Sequence, residues 1–323
     1  MRIVVYGVGA IGGTVAAALT LAGYEVAGIA RGKMLEAIRQ DGLRLRTPTL
    51  DQHVRFPVFA DPSELTWRAD DAVLLTMKGQ DTAKALDALR AAGVADQPIF
   101  CLQNGIDNER MASRLFPNVY AVTVMLPADY TTPGEVVCHG APKRGMFDIG
   151  RFPEGLDQTA EQMAAVFEAG EFKTFLLDDV MRSKRGKLLE NLGNVLDAAL
   201  GPGQDREPFY GQARAEGEAV FRAMGLDWIE IGSKDPRREG VLGIGHVAGV
   251  TRAGSSSTQS LQRGAGSIET DYLNGEIVLL GRLHSVPTPV NRYLTQLSHR
   301  MVAESIAPGS ISPEEIAEGC ATA

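Results

Sequence analysis

The six residues Gly7-Val8-Gly9-Ala10-Ile11-Gly12 constrain this chain more than any others. They follow the β-rich run Ile3-Val4-Val5-Tyr6 and precede an Ala/Leu helix pattern from Thr14 to Leu21. As a bare string G-x-G-x-x-G is a weak signal; the strand–turn–helix setting gives it weight. Each glycine has its own task. Gly7 permits the tight turn, Gly9 lets a pyrophosphate approach the backbone, and Gly12 lets the helix pack closely on the strand. The helix start adds unpaired N–H groups and the positive end of the helix dipole. Val8, Ala10 and Ile11 complete the candidate dinucleotide loop. A glycine-rich turn with no ligand is the plainer reading of the same residues.

The end of the next strand selects the dinucleotide. An acidic residue about 20 positions on would hold a ribose 2′-hydroxyl and favour NAD. The strand read from Glu25 to Ala30 ends instead in Arg31-Gly32-Lys33, and Glu25 is at its wrong end. Arg31 stands where a 2′-phosphate would lie, and its planar fork suits that group. The expected cofactor is therefore NADP(H), with a solvated Arg–Lys pair as the bland alternative.

Strand and helix patterns continue to alternate through the first half. Lys33–Gln40 and Thr82–Ala92 read as helices, and Asp71–Thr76 and Pro98–Leu102 as buried strands. That alternation predicts a parallel, doubly wound sheet with right-handed crossovers. Near Asp178 the texture changes to long helical patterns at Val180–Ala199, Ala213–Met224, Thr270–Leu283 and Asn291–Ala303. No strong strand is expected after about residue 175. The 323 residues thus divide into an α/β domain, 1–177, and a helical domain, 178–323, near the usual size of roughly 150 residues per domain. The tail after Pro308 reads as a short acidic segment.

A net charge of −8 argues against a nucleic-acid surface, which needs clustered cations. The N-terminal apolar run is too short for a leader, and no stretch reaches the ~20 apolar residues of a membrane span. Cys101, Cys138 and Cys320 form neither a disulfide framework nor a zinc spacing, and the five histidines share no ligand pattern. No metal is expected, and the setting reads as cytoplasmic.

In the second half, Lys187, Asn191 and Asn194 are spaced i, i+4, i+7 and so fall on one face of a helix. A lysine and two amides in one stripe can hold a small polar anion, although a solvated polar face would look the same. Lys184 and Arg185 read as ordinary surface charge. Glu269 opens a predicted helix, where the dipole alone would favour an acid.

Taken together, these segments resemble the ketopantoate reductases (2-dehydropantoate 2-reductases) and their close 2-oxoacid reductase relatives. The matching residues are Gly7–Gly12, Ala30-Arg31-Gly32 running on to Asp41-Gly42-Leu43, Met77-Lys78 with Thr82, and Leu102-Gln103-Asn104-Gly105. Lys187-Leu188-Leu189 with Asn191, Ser256–Gln259, Glu269 with Asp271, Asn274-Gly275, and Pro287-Thr288-Pro289-Val290-Asn291 follow in the family's order. The resemblance runs from Met1 to about Met301. It implies a Rossmann-type first domain and an all-helical second domain like the C-terminal domain of 6-phosphogluconate dehydrogenase.

The resemblance also implies roles. Lys187 would be the general acid toward the developing alkoxide. Glu269 would hold and tune that lysine and touch the cofactor. Asn104 would lie between nicotinamide and substrate, Lys78 beside the cofactor, and Ala128 at a further cofactor contact. Asn191, Asn194 and Ser256 would bind the substrate's carboxylate and hydroxyl. The family commonly places its second asparagine four residues after the first, whereas here the interval is three. The implied activity is NADPH-dependent reduction of a 2-oxo acid, ketopantoate first and another 2-oxo acid next. The competing readings are a non-catalytic NADPH-binding regulator and an NAD-linked 3-hydroxyacid or opine dehydrogenase. The expected partner is the small-molecule substrate, and the apolar helical domain suits a homodimer.

Overall fold

The computed structural model describes residues 1–232, 235–264, 266 and 268–322. Two compact units emerge. One comprises Met1–Lys184 with Gly232–Thr251, and the other Arg185–Ile231 with Arg252–Ala323. The first unit therefore runs past residue 177 and takes back a later segment.

The first unit is built on an eight-stranded sheet. Its order is Phe172–Leu176, Gly145–Arg151, Val119–Met125, Ile99–Cys101, Asp71–Leu75, Arg2–Tyr6, Val26–Ile29, Val58–Phe59. All neighbours are parallel except Gly145–Arg151 against Val119–Met125. The continuous apolar runs seen in the sequence are buried on both faces, as a helix-covered parallel sheet requires. Asp71 is the polar exception; Arg2 chelates it through two 2.7 Å bonds, so the buried charge is matched. The chain winds outward from Arg2–Tyr6 to Val58–Phe59, then returns to the other side of Arg2–Tyr6 with Asp71–Leu75. That reversal is the topological switch point of a Rossmann-type sheet, where ligands bind beyond the carboxyl ends of the strands.

A second sheet, in the order Asp51–Val54, Leu43–Arg46, Glu135–Cys138, Ala128–Asp129, packs against the Ala10–Leu21 helix. The strand Leu242–Ile244 pairs antiparallel with Gly140–Pro142. This corrects the expectation of no strand after about 175. Three residues, one of them a glycine and another glycine following, carry too little pattern to read, and pairing across about 100 residues supplies what the local sequence lacks. Arg237 fastens the returning segment through bonds to buried Asp148 at 2.8 and 3.1 Å.

The second unit is helical throughout its described residues. Its helices are the C-terminal part of Val180–Asn191, then Asn194–Leu200, Glu207–Ala223, Ser256–Gln262, Asn274–Leu283, Pro289–Ala303 and Pro313–Thr322. The acidic tail is thus a helix, and buried Ile316 anchors it.

Candidate active site

The glycine loop sits at the switch point. Gly7 has φ +106°, and a Cβ there would lie 2.7 Å from the Met77 amide nitrogen. A Cβ on Gly12 would lie 2.3 Å from Thr76 Oγ1 and 2.4 Å from the Gly7 carbonyl. A Cβ on Gly9 would meet only the Gly7 carbonyl, at 4.0 Å. Two glycines are therefore demanded by the protein's own packing, while the third faces open space. That open face beside a helix N-terminus fits a pyrophosphate. Thr76 holds the loop by donating to the Tyr6 and Gly7 carbonyls at 3.0 and 2.9 Å.

Arg31 follows the second strand, Val26–Ile29, at the start of the Gly32–Asp41 helix; its side chain is 82% exposed and forms a 2.9 Å ion pair with Asp81. The sequence reading missed this acid, because Asp81 is 50 residues away in the chain. A 2′-phosphate at Arg31 would compete with the carboxylate for the guanidinium. Lys78 occupies the N-cap position of the Gly79–Ala91 helix. Ala128 lies in the short strand paired with Cys138.

Asn104 follows the strand Ile99–Cys101 in a loop whose polar groups are secured from beneath. The Gln103 amide donates to the Met77 carbonyl at 3.0 Å and to Thr82 Oγ1 at 2.7 Å. Thr82 donates to Asn108 at 2.8 Å, and Asn108 donates to the Asn104 carbonyl at 2.8 Å. The loops after two adjacent strands are thereby linked to each other. Lys184 completes the arrangement, donating to the Gln103 carbonyl at 2.5 Å and pairing with Glu109 at 2.9 Å. The reading of Lys184 and Arg185 as surface charge is overturned: both are buried, and Arg185 donates to the Asp227 carbonyl. Each long side chain finds an acceptor that only the folded chain brings near, a buried carbonyl for Lys184 and a part-buried one for Arg185.

In the second unit Lys187 and Asn191 share the Val180–Asn191 helix, one turn apart. Asn194 does not continue that face, which corrects the single i, i+4, i+7 stripe. The helix ends at Asn191, and Asn194 begins the next helix after Gly193. Long-range partners stabilise the break. Asn274 donates to the freed Leu192 carbonyl at 3.1 Å, and Arg206 to the Gly193 carbonyl at 3.3 Å. The break turns Asn194 toward the Ser256–Gln262 helix, where Ser255 donates to the Asn194 carbonyl at 3.1 Å and caps Thr258. Asn194 and Ser256 are therefore brought to one place.

Asn191 is only 5% exposed, and its Nδ2 has no hydrogen-bond partner among the described residues. Such a buried donor is open to an acceptor from water or from a bound ligand. Lys187 is half-buried. Glu269 is 5% exposed and lies in a 3₁₀ turn, Glu269–Tyr272, rather than in the helix proper, which starts at Asn274. Asn274 and Asn291 were part of the sequence pattern without an assigned role. They bond to each other at 3.0 Å, and Asn291 reaches the Ala213 carbonyl and Glu216. They hold the elements around the helix break.

The model of the family described as ketopantoate reductase PanE/ApbA matches residues 3–154, and that of its C-terminal region matches 188–302. A 2-dehydropantoate 2-reductase of Halobacterium salinarum is 31% identical over 92% of this chain and 97% of its own. Another, of Pyrococcus horikoshii, is 26% identical over 96% and 100%. Among solved structures, a PanE/ApbA family ketopantoate reductase from Ralstonia eutropha JMP134 superposes with a TM-score of 0.79 at 31% identity, covering 94% of this chain and 99% of its own. A D-mandelate dehydrogenase solved with NADH and anilino(oxo)acetate shares the fold, with a TM-score of 0.77 at 22% identity over 94% and 99%.

Proposed function

The chain belongs to the ketopantoate reductase PanE/ApbA family, and from that premise we propose that it reduces a 2-oxo acid with NADPH, with ketopantoate as the substrate. The observation that carries the reading is a lysine one helical turn from a buried amide donor that has no hydrogen-bond partner among the described residues. Such a pair suits a small anion carrying a ketone.

The residues divide the work. The Gly7–Gly12 loop receives the pyrophosphate on backbone N–H groups, and Arg31 receives the 2′-phosphate. Lys78, Asn104 and Ala128 border the cofactor. Bound NADPH supplies the reducing equivalent. Asn191, Asn194 and Ser256 orient the substrate through its carboxylate and hydroxyl. Lys187 stabilises the charge growing on the ketone oxygen and then protonates it, a contribution of roughly 10²–10⁴ in rate for a positioned acid. Glu269 orients Lys187.

A cofactor domain, read from the sequence as 1–177, and a substrate domain, read as 178–323, belong to the same proposal with their bounds moved to those of the two compact units, as does a cytoplasmic setting. No helix among the described residues is long and apolar enough to cross a membrane. A homodimer is supported by Leu279 and Leu283, exposed on consecutive turns of the Asn274–Leu283 helix; size-exclusion chromatography with light scattering tests it.

The test of function is oxidation of NADPH, followed by its absorbance, against a panel of 2-oxo acids headed by ketopantoate, with NADH in parallel. Turnover of ketopantoate with NADPH preferred is the expected result. Turnover of another 2-oxo acid alone would move the substrate, and a preference for NADH would remove the assigned role of Arg31.

A further inference from the structure

Lys184 and Glu109 form an ion pair with side chains 2% and 0% exposed, and the mechanism above uses neither. Burying two charges costs much of what their attraction returns, so such a pair adds little stability over apolar side chains of the same volume. Its geometry indicates another task. Lys184 Nζ reaches the Gln103 carbonyl at 2.5 Å while Glu109 holds the same ammonium at 2.9 Å. Among the described residues neither Glu109 oxygen has a hydrogen-bond partner, so the carboxylate is held through the Lys184 ion pair. The carboxylate is therefore devoted to the lysine.

The Gln103 carbonyl and the Asn104 N–H belong to one planar peptide and point in opposite directions. Fixing the carbonyl fixes where the N–H and the Asn104 side chain are presented. The Asn108 bond to the Asn104 carbonyl clamps the following peptide, and Gly105, at φ +81°, turns the chain away. Without Lys184 the Gln103 carbonyl would be a buried acceptor lacking its donor, and the peptide would rotate to find another.

We propose that Lys184 and Glu109 are positioning residues that lock the Gln103–Asn104 peptide so that Asn104 meets the nicotinamide end of the cofactor. The inference rests on the placement of Asn104 beside the nicotinamide given under the proposed function. Neither residue touches cofactor or substrate; both act through the loop.

The experiment compares two ligands by calorimetric titration: NADPH, and adenosine 2′,5′-bisphosphate, which lacks the nicotinamide. Wild-type protein must bind both. Failure there overturns the proposed function itself and is distinct from failure of this inference. In Lys184→Met/Glu109→Gln the volumes are kept and no charge is left unpaired. Its Kd for NADPH is expected to rise about tenfold, the effect of one charge-assisted hydrogen bond, with the bisphosphate changed by less than about twofold. Equal weakening of both ligands would make the pair merely structural, and no change in either would remove its role. Should the double variant not fold, Glu109→Gln alone carries the test. It keeps shape, deprives Lys184 of its counter-ion, and predicts the same selective loss, with the same contrary outcomes.

Discussion

In the proposed reaction Lys187 carries the proton transfer, and its position allows a clean separation of binding from turnover. Lys187→Ala is expected to lower kcat by roughly 10²–10⁴, the range for a positioned general acid, with NADPH affinity unchanged. Retained turnover would remove its role. Arg31 is tested separately. Arg31→Ala is expected to weaken NADPH by about tenfold and leave NADH unaffected, since only one of them carries the 2′-phosphate that the guanidinium would hold. Both proposed roles come from the sequence, Arg31 through its spacing from the glycine loop and Lys187 through the family pattern. Asp81 and Glu109 were not legible there. Their partners, Arg31 and Lys184, are 50 and 75 positions away, and nothing local to an acid reveals which cation the fold brings to it.

At the level of elements, the strand–loop–helix at the N-terminus was readable because each of its requirements is local. Gly12→Ala would push a Cβ to 2.4 Å from the Gly7 carbonyl, a backbone atom that cannot move without opening the loop. The expected loss is about 1–3 kcal/mol of stability by denaturant unfolding, together with loss of NADPH binding. The helix break at Gly193 was not readable. Leu188, Leu192, Val195 and Leu196 keep an apolar period across it, while the groups that stabilise it come from Asn274 and Arg206. A third element responds to acid. Burial alone would push the Asp157 carboxyl up. The Ala160 N–H, the Tyr120 hydroxyl and the Arg151 guanidinium outweigh burial and hold it below the ordinary carboxylate range. Its contribution is thus present above that range and lost as pH falls through the depressed value. Asp157→Ala, which removes this cap from the Gln158–Ala169 helix, is expected to cost about 1 kcal/mol near neutral pH. Thermal melts should show the difference from wild type shrinking in acid. A difference that does not depend on pH would contradict the assignment.

Over the whole molecule, the α/β and helical classes followed from alternating strand and helix patterns giving way to helical periods near Asp178. The return of Gly232–Thr251 to the first unit did not follow, because it depends on one short strand and on Arg237 meeting buried Asp148. The central claim concerns one reaction, transfer of hydrogen from NADPH to the C2 carbon of ketopantoate. It is tested most directly by incubating the protein with ketopantoate and NADPH deuterated at C4 of the nicotinamide, on each face in turn, and weighing the product by mass spectrometry. The account predicts pantoate heavier by one deuterium from one face and unlabelled pantoate from the other. Absence of pantoate, or pantoate unlabelled from both faces, would contradict it.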